Sequence, residues 1–387
     1  MTKPIYLDYA ATTPMAQQAV EAMLHCLTLE GEFANPASLQ HGFGERAEKI
    51  VEQARFQIAQ ILNCKANDLV FTSGATESNN LAIKGMALSH QKRGKHIVTS
   101  ASEHKSVLDT CKYLESQGFT VSFLRPDAQG VFSLQDVLQA LTDETILVSL
   151  MHVNNETGVI QELETIAQAL QERGIFFHVD AAQSAGKLPI DLSKTPIDLL
   201  SLSAHKFYGA KGVGCLYVRN RKKTALAPLL HGGGQEFGLR PGTLPTHQIV
   251  AMAIAFKIAH QRMAADFQHC QRLEQILIAQ LHQLDGVCFN GNPQQKLPNI
   301  LNVSFENVGA DALIIALRDE VAIASGSACN TGAMEASHVL RAMGIEGDRL
   351  YGAVRMSFGR YTTEAEIIQA GQRICAEVTR LRQLALE

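Results

Sequence analysis

Short apolar runs alternate with longer stretches of helical spacing through the first two-thirds of this chain. The runs are Leu69 to Thr72, His96 to Ser100, Phe119 to Leu124, Ile146 to His152, Ile175 to Asp180, Leu199 to Ser203 and Val213 to Val218. They have the length and composition of strands. Between them Glu77 to Gln91, Lys105 to Gln117 and Glu162 to Arg173 read as helices, the third ended by Gly174, a residue suited to the left-handed turn after a helix. This rhythm predicts an α/β fold, a mostly parallel sheet with helices on both faces. The glycine-rich stretch His231-Gly-Gly-Gly234 and the following Arg240-Pro-Gly-Thr243 interrupt it, and a long helix from Thr246 to about Leu284 comes next. The domain transition is expected inside that helix, near Ala255. Residues 15–255 then form a large domain. Residues 256–387, together with the N-terminal segment 1–14, form a smaller α+β domain with strands at Ile300 to Phe305, Ala322 to Ala324 and Val354 to Ser357 and a final helix from Thr363.

Composition narrows the class. A length of 387 residues favours two domains over one, and a hydrophobic fraction of 46% is ample for burial. The net charge of −4 gives no electrostatic reason to expect direct binding of nucleic acid or an anionic membrane. The N-terminus lacks an apolar signal core, and no window approaches the roughly 20 apolar residues that span a bilayer. A cytoplasmic protein is therefore expected. Eight cysteines are scattered without a C-x-x-C pair, which argues against a zinc ribbon, a redox dithiol or a disulfide framework. Most read as buried small apolar residues; Cys329, among Ser, Gly and Ala, reads as part of an accessible loop.

The chemistry centres on Lys206. It follows the apolar run Ile197 to Leu202 and meets Gly209, Gly212 and Gly214, a poor place for a solvated charge and a good one for an amine that holds an aldehyde. Burial lowers proton affinity, and the neutral amine attacks carbonyls. Pyridoxal 5'-phosphate is the commonest such carbonyl, and it needs an acidic partner for its ring nitrogen. Asp180, ending an apolar strand, suits that partner; its plainer alternative is to cap a following helix. Gln183, three residues on, can donate to the cofactor's phenolate oxygen. Ser73-Gly74-Ala75-Thr76-Glu77 joins a strand to a helix, so backbone N–H groups and the Thr76 hydroxyl would face an anion; the alternative is a plain helix start capped by Ser73 or Thr76. His104, just past a strand, can stack on the ring and move protons, or can simply cap a helix. Asn155 follows a strand end, where ligand crevices form. Ser203 and His205 flank Lys206 closely enough to serve the phosphate, and Thr243 could reach it from a neighbouring subunit. Arg355, in an apolar strand, would be satisfied by a substrate carboxylate or by an internal salt bridge. Cys329 is placed to carry a group on a mobile thiol, or is one more packed cysteine.

Together these residues resemble the cysteine desulfurases of the IscS/NifS class, class-V aminotransferase relatives with the pyridoxal-phosphate fold type I of aspartate aminotransferase. The likeness runs nearly end to end through Tyr6-Leu-Asp-Tyr-Ala-Ala-Thr-Thr-Pro14, Asn35-Pro-Ala-Ser38, Thr72-Ser-Gly-Ala-Thr-Glu-Ser-Asn79, Glu103-His104, Asn154-Asn-Glu-Thr-Gly158, His178-Val-Asp-Ala-Ala-Gln183, Ser203-Ala-His-Lys206, Arg240-Pro-Gly-Thr243, Ser325-Gly-Ser-Ala-Cys329 and Arg355-Met-Ser-Phe-Gly-Arg360. The resemblance implies a seven-stranded, mostly parallel large-domain sheet and a homodimer. It implies Lys206 as the Schiff-base lysine, Asp180 and Gln183 holding the ring, and His104 stacking on it. Gly74, Ala75, Thr76, Ser203, His205 and Thr243 would serve the phosphate, and Asn155 and Arg355 the cofactor and the amino-acid substrate. L-Cysteine would become L-alanine, with the sulfur left as a persulfide on Cys329. Lys206 would remove the α-proton, and the Cys329 thiolate would attack the substrate sulfur, with His104 a candidate base for that thiol.

The sulfur would pass to an acceptor protein: an iron–sulfur scaffold, tRNA-thiolation machinery or a DNA-modification protein. The chain stops at Glu387 without the extended tail that housekeeping members use to dock their scaffold, which weakens the scaffold expectation. The Ser-Ala-Cys-Asn-Thr wording is similar to desulfurases that feed DNA phosphorothioation. Competing readings on the same residues are a selenocysteine lyase or an aminotransferase, neither needing Cys329, and a non-catalytic scaffold. No metal site is expected within the chain, apart from Cys329 as a ligand shared with a cluster in a partner complex.

Overall fold

The computed structural model describes residues 3–326 and 336–385. Its strands, in chain order, are β1 (Ile5–Tyr6), β2 (Leu69–Thr72), β3 (His96–Ser100), β4 (Thr120–Leu124), β5 (Thr145–Met151), β6 (Phe176–Asp180), β7 (Leu199–Ser203), β8 (Gly214–Val218), β9 (Val287–Asn290), β10 (Ile300–Phe305), β11 (Val321–Ala322), β12 (Ala324–Ser325) and β13 (Ala353–Ser357). Seven of them form one sheet in the order β2-β8-β7-β6-β5-β3-β4. The pairs from β7 to β4 are parallel, while β8 runs antiparallel to both of its neighbours. Every residue of β3, β5, β6, β7 and β8 is buried because both faces are covered. Successive side chains point to opposite faces, and two cores result. Val98, Phe177, Val179, Leu200 and Leu202 pack on one side; Ile97, Phe176, Leu199, Leu216 and Val218 pack on the other.

A second, antiparallel sheet has the order β12-β13-β10-β9. Its apolar face meets Leu273 and Leu277 of the long helix Thr246–Leu281 and Ile367 and Ile374 of the helix Glu364–Leu384. The long helix is continuous across both regions. Met252, Phe256 and Ala259 belong to the large-sheet core, and Cys270 onward to the second core. Gly174 adopts φ 65°, the left-handed turn foreseen from its place after a helix. Thr363 caps the last helix through a reciprocal pair of bonds with Glu366.

One strand expectation needs correction. Ala322 to Ala324 is not a single strand: β11 pairs in parallel with β1, whereas β12 pairs with β13, so the chain changes sheets at Ile323. Ile323 is itself buried in the second core, and a run of apolar residues cannot reveal which of two sheets takes each half. Helices also lie where none was foreseen, among them Gln17–His25, Gly42–Leu62, Leu134–Ala140 and Ala310–Leu317. No helix among the described residues is long and apolar enough to cross a membrane.

Candidate active site

The parallel strands present their carboxyl ends to one side of the sheet, where a doubly covered α/β sheet leaves a crevice. A cleft of about 510 Å³ lies there, lined by Gly74, Ala75, Thr76, His104, Asn155, Asp180, Gln183, Ser203, His205, Lys206 and Arg355. Thr243 is exposed and outside the cleft of its own chain, and Cys329 lies outside the described residues.

Lys206 sits in a one-turn 3₁₀ helix, Ala204–Lys206, directly after β7. Its Nζ donates to the carbonyls of Ala10 at 2.5 Å and Ala11 at 2.8 Å. Burial and then the neighbouring Arg355 guanidinium push its pKa down to about 8, against the opposing pull of Asp8 and Asp180. A neutral fraction of roughly a tenth is therefore present at pH 7, the form that attacks an aldehyde.

Asp180 ends β6 and is 5% exposed. Its Oδ2 accepts from Asn79 Nδ2 at 2.8 Å and its Oδ1 from the Ala182 N–H at 2.9 Å. No helix follows it: residues 182–187 form a series of turns, so the helix-capping alternative is replaced by a local turn bond. Gln183 stands in those turns, not on a helix, with Nε2 donating to the Ala10 carbonyl at 2.9 Å.

At the other end of the cleft β2 leads into the helix Ala75–His90. The helix is capped by Gly74, not by Ser73 or Thr76. Gly74 has φ 151°, and a Cβ on the facing Gly214 would stand 2.6 Å from the Gly74 Cα, so the two backbones meet only as glycines. Glu77 Oε2 accepts the Ser73 N–H at 2.7 Å while its Oε1 takes Arg240 Nε at 2.9 Å. Ser73 is thereby spoken for, and the first-turn N–H groups of Ala75 and Thr76 remain for an anion. His205 bonds Thr12 Oγ1 through Nδ1 at 3.2 Å. Burial, with Lys206, Lys211 and Lys187 nearby, pushes its pKa down to about 4, so His205 is neutral and can donate to an anion without adding charge.

His104 takes the helix-capping role and also lines the cleft. At the start of the helix Lys105–Ser116 its Nδ1 accepts the Ser106 N–H at 3.1 Å. That bond places the proton of the neutral ring on Nε2. Its pKa is lowered by burial. For Arg355 the internal salt bridge is present. Nη2 contacts Asp8 Oδ1 at 2.8 Å and Nη1 donates to the Asn155 carbonyl at 2.9 Å. Its Nε is buried with no hydrogen-bond partner among the described residues.

Several residues at this cleft escaped the sequence reading, among them Ala10, Glu156 and His338, which line it, and Asp8, which pairs with its Arg355. Asp8 and the Ala10 carbonyl reach it from the N-terminal segment. Glu156, 1% exposed, accepts from Ser337 Oγ at 2.5 Å, and burial pushes its pKa up to about 7. Asp8 and Glu156 both fall within motifs that carried the resemblance, which was the available signal.

The cleft thus holds an anion cup, a carboxylate and a deprotonatable amine. Aminotransferase class-V matches residues 5–369 of the chain. The chain belongs to the class-V aminotransferase family. It is 51% identical over 385 residues to a protein named cysteine desulfurase IscS from Buchnera aphidicola, covering 100% of this chain and 95% of that one. A solved NifS-like protein superposes with a TM-score of 0.89 at 35% identity, covering 99% of each chain. A structure titled SspA in complex with cysteine superposes with a TM-score of 0.82 at 40% identity, covering 94% of this chain and 100% of that one. Pyridoxal 5'-phosphate is the family's cofactor. The anion cup, Asp180 and Lys206 of this class-V member match its phosphate, ring nitrogen and aldehyde in chemistry.

Proposed function

We propose that this chain is a pyridoxal-phosphate-dependent cysteine desulfurase that converts L-cysteine to L-alanine and leaves the sulfur on Cys329 as a persulfide. The observation that carries this reading is Lys206, with its pKa drawn down to about 8, sharing one cleft with Asp180 and Arg355. When bound, the cofactor supplies an aldehyde for amines and an electron sink for the α-carbon of the substrate. Asp180 holds a positive charge at its end of the cleft. Ala75, Thr76, Ser203 and neutral His205 orient the phosphate by hydrogen bonds. Arg355 would receive the substrate carboxylate, and Asn155 keeps the guanidinium in place through its carbonyl. Lys206 Nζ takes up the α-proton. His104 stands beside these groups with a proton on Nε2. The sum is one L-cysteine and one thiol giving one L-alanine and one persulfide.

The persulfide would serve an acceptor protein of an iron–sulfur, tRNA-thiolation or DNA-modification pathway. A cytoplasmic place of work accords with the seven described cysteines, all free. A homodimer is supported by the exposed Leu24, Leu27, Leu29, Phe33, Phe43 and Phe56, with the Phe33 and Phe43 rings 5.9 Å apart, and by the exposure of Thr243 away from its own cleft. We place the domain division at 255/256 with residues 1–14 on the smaller side. Ile5 and Leu7 pack in the second core, whereas Tyr9, Phe256 and Ala259 pack in the large-sheet core, so the division by packing falls later in the long helix, before Cys270.

The decisive experiment incubates purified protein with L-cysteine and measures alanine and sulfide, with and without Cys329→Ala. Alanine formation that needs both Lys206 and Cys329 is expected. Turnover indifferent to Cys329 would move the reading to another reaction of the same cofactor.

A further inference from the structure

Gln183 and Lys187 lie four residues apart in the turns after β6. Gly186, at φ 73°, lets the chain double back there: a Cβ at that position would stand 2.8 Å from Ala259 Cβ and 3.0 Å from Phe207 Cβ. Lys187 Nζ consequently reaches Gln183 Oε1 and donates to it at 3.0 Å. The other end of the amide, Nε2, donates to the Ala10 carbonyl at 2.9 Å, the same oxygen that takes Lys206 Nζ at 2.5 Å. Gln183 is 4% exposed and forms part of the cleft wall.

A glutamine amide has a donor end and an acceptor end of nearly the same shape, and half a rotation exchanges them. Burial, then the neighbouring Lys206, pushes the Lys187 amine down to about 7; in its ammonium form it has three donors and no acceptor, so it then selects the orientation that turns the amide oxygen toward itself. We propose that Lys187 is a positioning residue that locks the Gln183 amide with its NH₂ group toward Lys206 and the cleft, so that this wall offers a donor to the phenolate oxygen of the bound cofactor. Rotated the other way, Oε1 would oppose the Ala10 carbonyl, acceptor against acceptor, and would repel that anionic oxygen. The inference rests on the cofactor reading given above.

The test titrates pyridoxal 5'-phosphate into cofactor-free wild type, Lys187→Met, Lys187→Arg, Gln183→Ala and the Gln183→Ala/Lys187→Met double variant. Affinity and the absorbance maximum of the bound cofactor are recorded, with circular dichroism of the cofactor-free proteins to establish folding. Lys187→Met is expected to weaken binding roughly tenfold, the scale of one hydrogen bond to a charged group, and to shift the absorbance maximum. Lys187→Arg, which still only donates, should restore both. In the Gln183→Ala background Lys187→Met should have no further effect, because the amide it orients is gone. An equal loss in both backgrounds would show a general charge effect and overturn the proposal, as would unchanged affinity and spectrum in Lys187→Met. Failure of the wild type to take up the cofactor is a separate result that would overturn the cofactor reading itself.

Discussion

Two charges pull the Lys206 amine in opposite directions. Arg355 lowers its pKa and Asp8 raises it, and the same two side chains are paired with each other at 2.8 Å. Cofactor capture by the cofactor-free protein needs the neutral amine, so its rate should rise with pH through a midpoint near 8. Asp8→Asn removes the charge that stabilises the ammonium and should move that midpoint to lower pH. Arg355→Met removes the charge that opposes it and should move the midpoint to higher pH. Stopped-flow absorbance over pH 6 to 10 (about that range suffices for an amine) reads both signs, and equal shifts would refute the assignment. Lys206, Asp180 and the glycine at Gly74 were legible in sequence because each is an anomaly at the end of an apolar strand. Asp8 was not, since a carboxylate after Tyr6-Leu7 carries no mark of the arginine 347 positions away that it meets.

Among the elements, the short turn Gln235–Gly238 is the most constrained. Glu236 and Phe237 hold positive φ angles of 47° and 62°, unfavourable for side chains of their kind. The turn is held by Glu236, 5% exposed, which takes Arg55 through Nη1 at 2.9 Å and Nη2 at 2.6 Å and the Phe71 N–H at 2.6 Å. Phe71 belongs to β2, the strand that ends at the anion cup, so the pair ties the segment leading to Arg240 and Thr243 onto that strand. Glu236→Ala strands a buried guanidinium and is expected to destabilise the protein by about 3–5 kcal/mol, seen as a lower denaturant midpoint of the cofactor-free form. A midpoint unchanged from wild type would mean that the pair is solvated and not structural. The glycine-rich sequence announced a break in the helical and strand rhythm, but nothing in it indicated which strand the break is fastened to.

For the whole molecule the exposed apolar residues of the N-terminal helical region matter most. If a second copy covers them, sedimentation should show a dimer, and Phe33→Asp together with Phe43→Asp should shift it toward monomer. The same double change should weaken cofactor binding as Thr243→Ala does, because a phosphate contact supplied by the neighbouring subunit would be lost with it. A monomer with full cofactor affinity would exclude Thr243 from the site.

The local order of this protein was settled along the chain. Apolar runs became buried strands, the residues ending those runs became the walls of a cleft, and glycines took the conformations that side chains disfavour. These are short-range consequences of burial and backbone sterics, and they need no knowledge of a distant partner. Folding alone decided the contacts between segments: the Ala10 carbonyl shared by Lys206 and Gln183, the Arg355–Asp8 pair, the Arg55–Glu236 clamp and the change of sheet at Ile323. A backbone carbonyl is the same in every residue, and a buried charge is tolerable only where a partner from elsewhere in the chain meets it. Such choices exist only once the chain is packed.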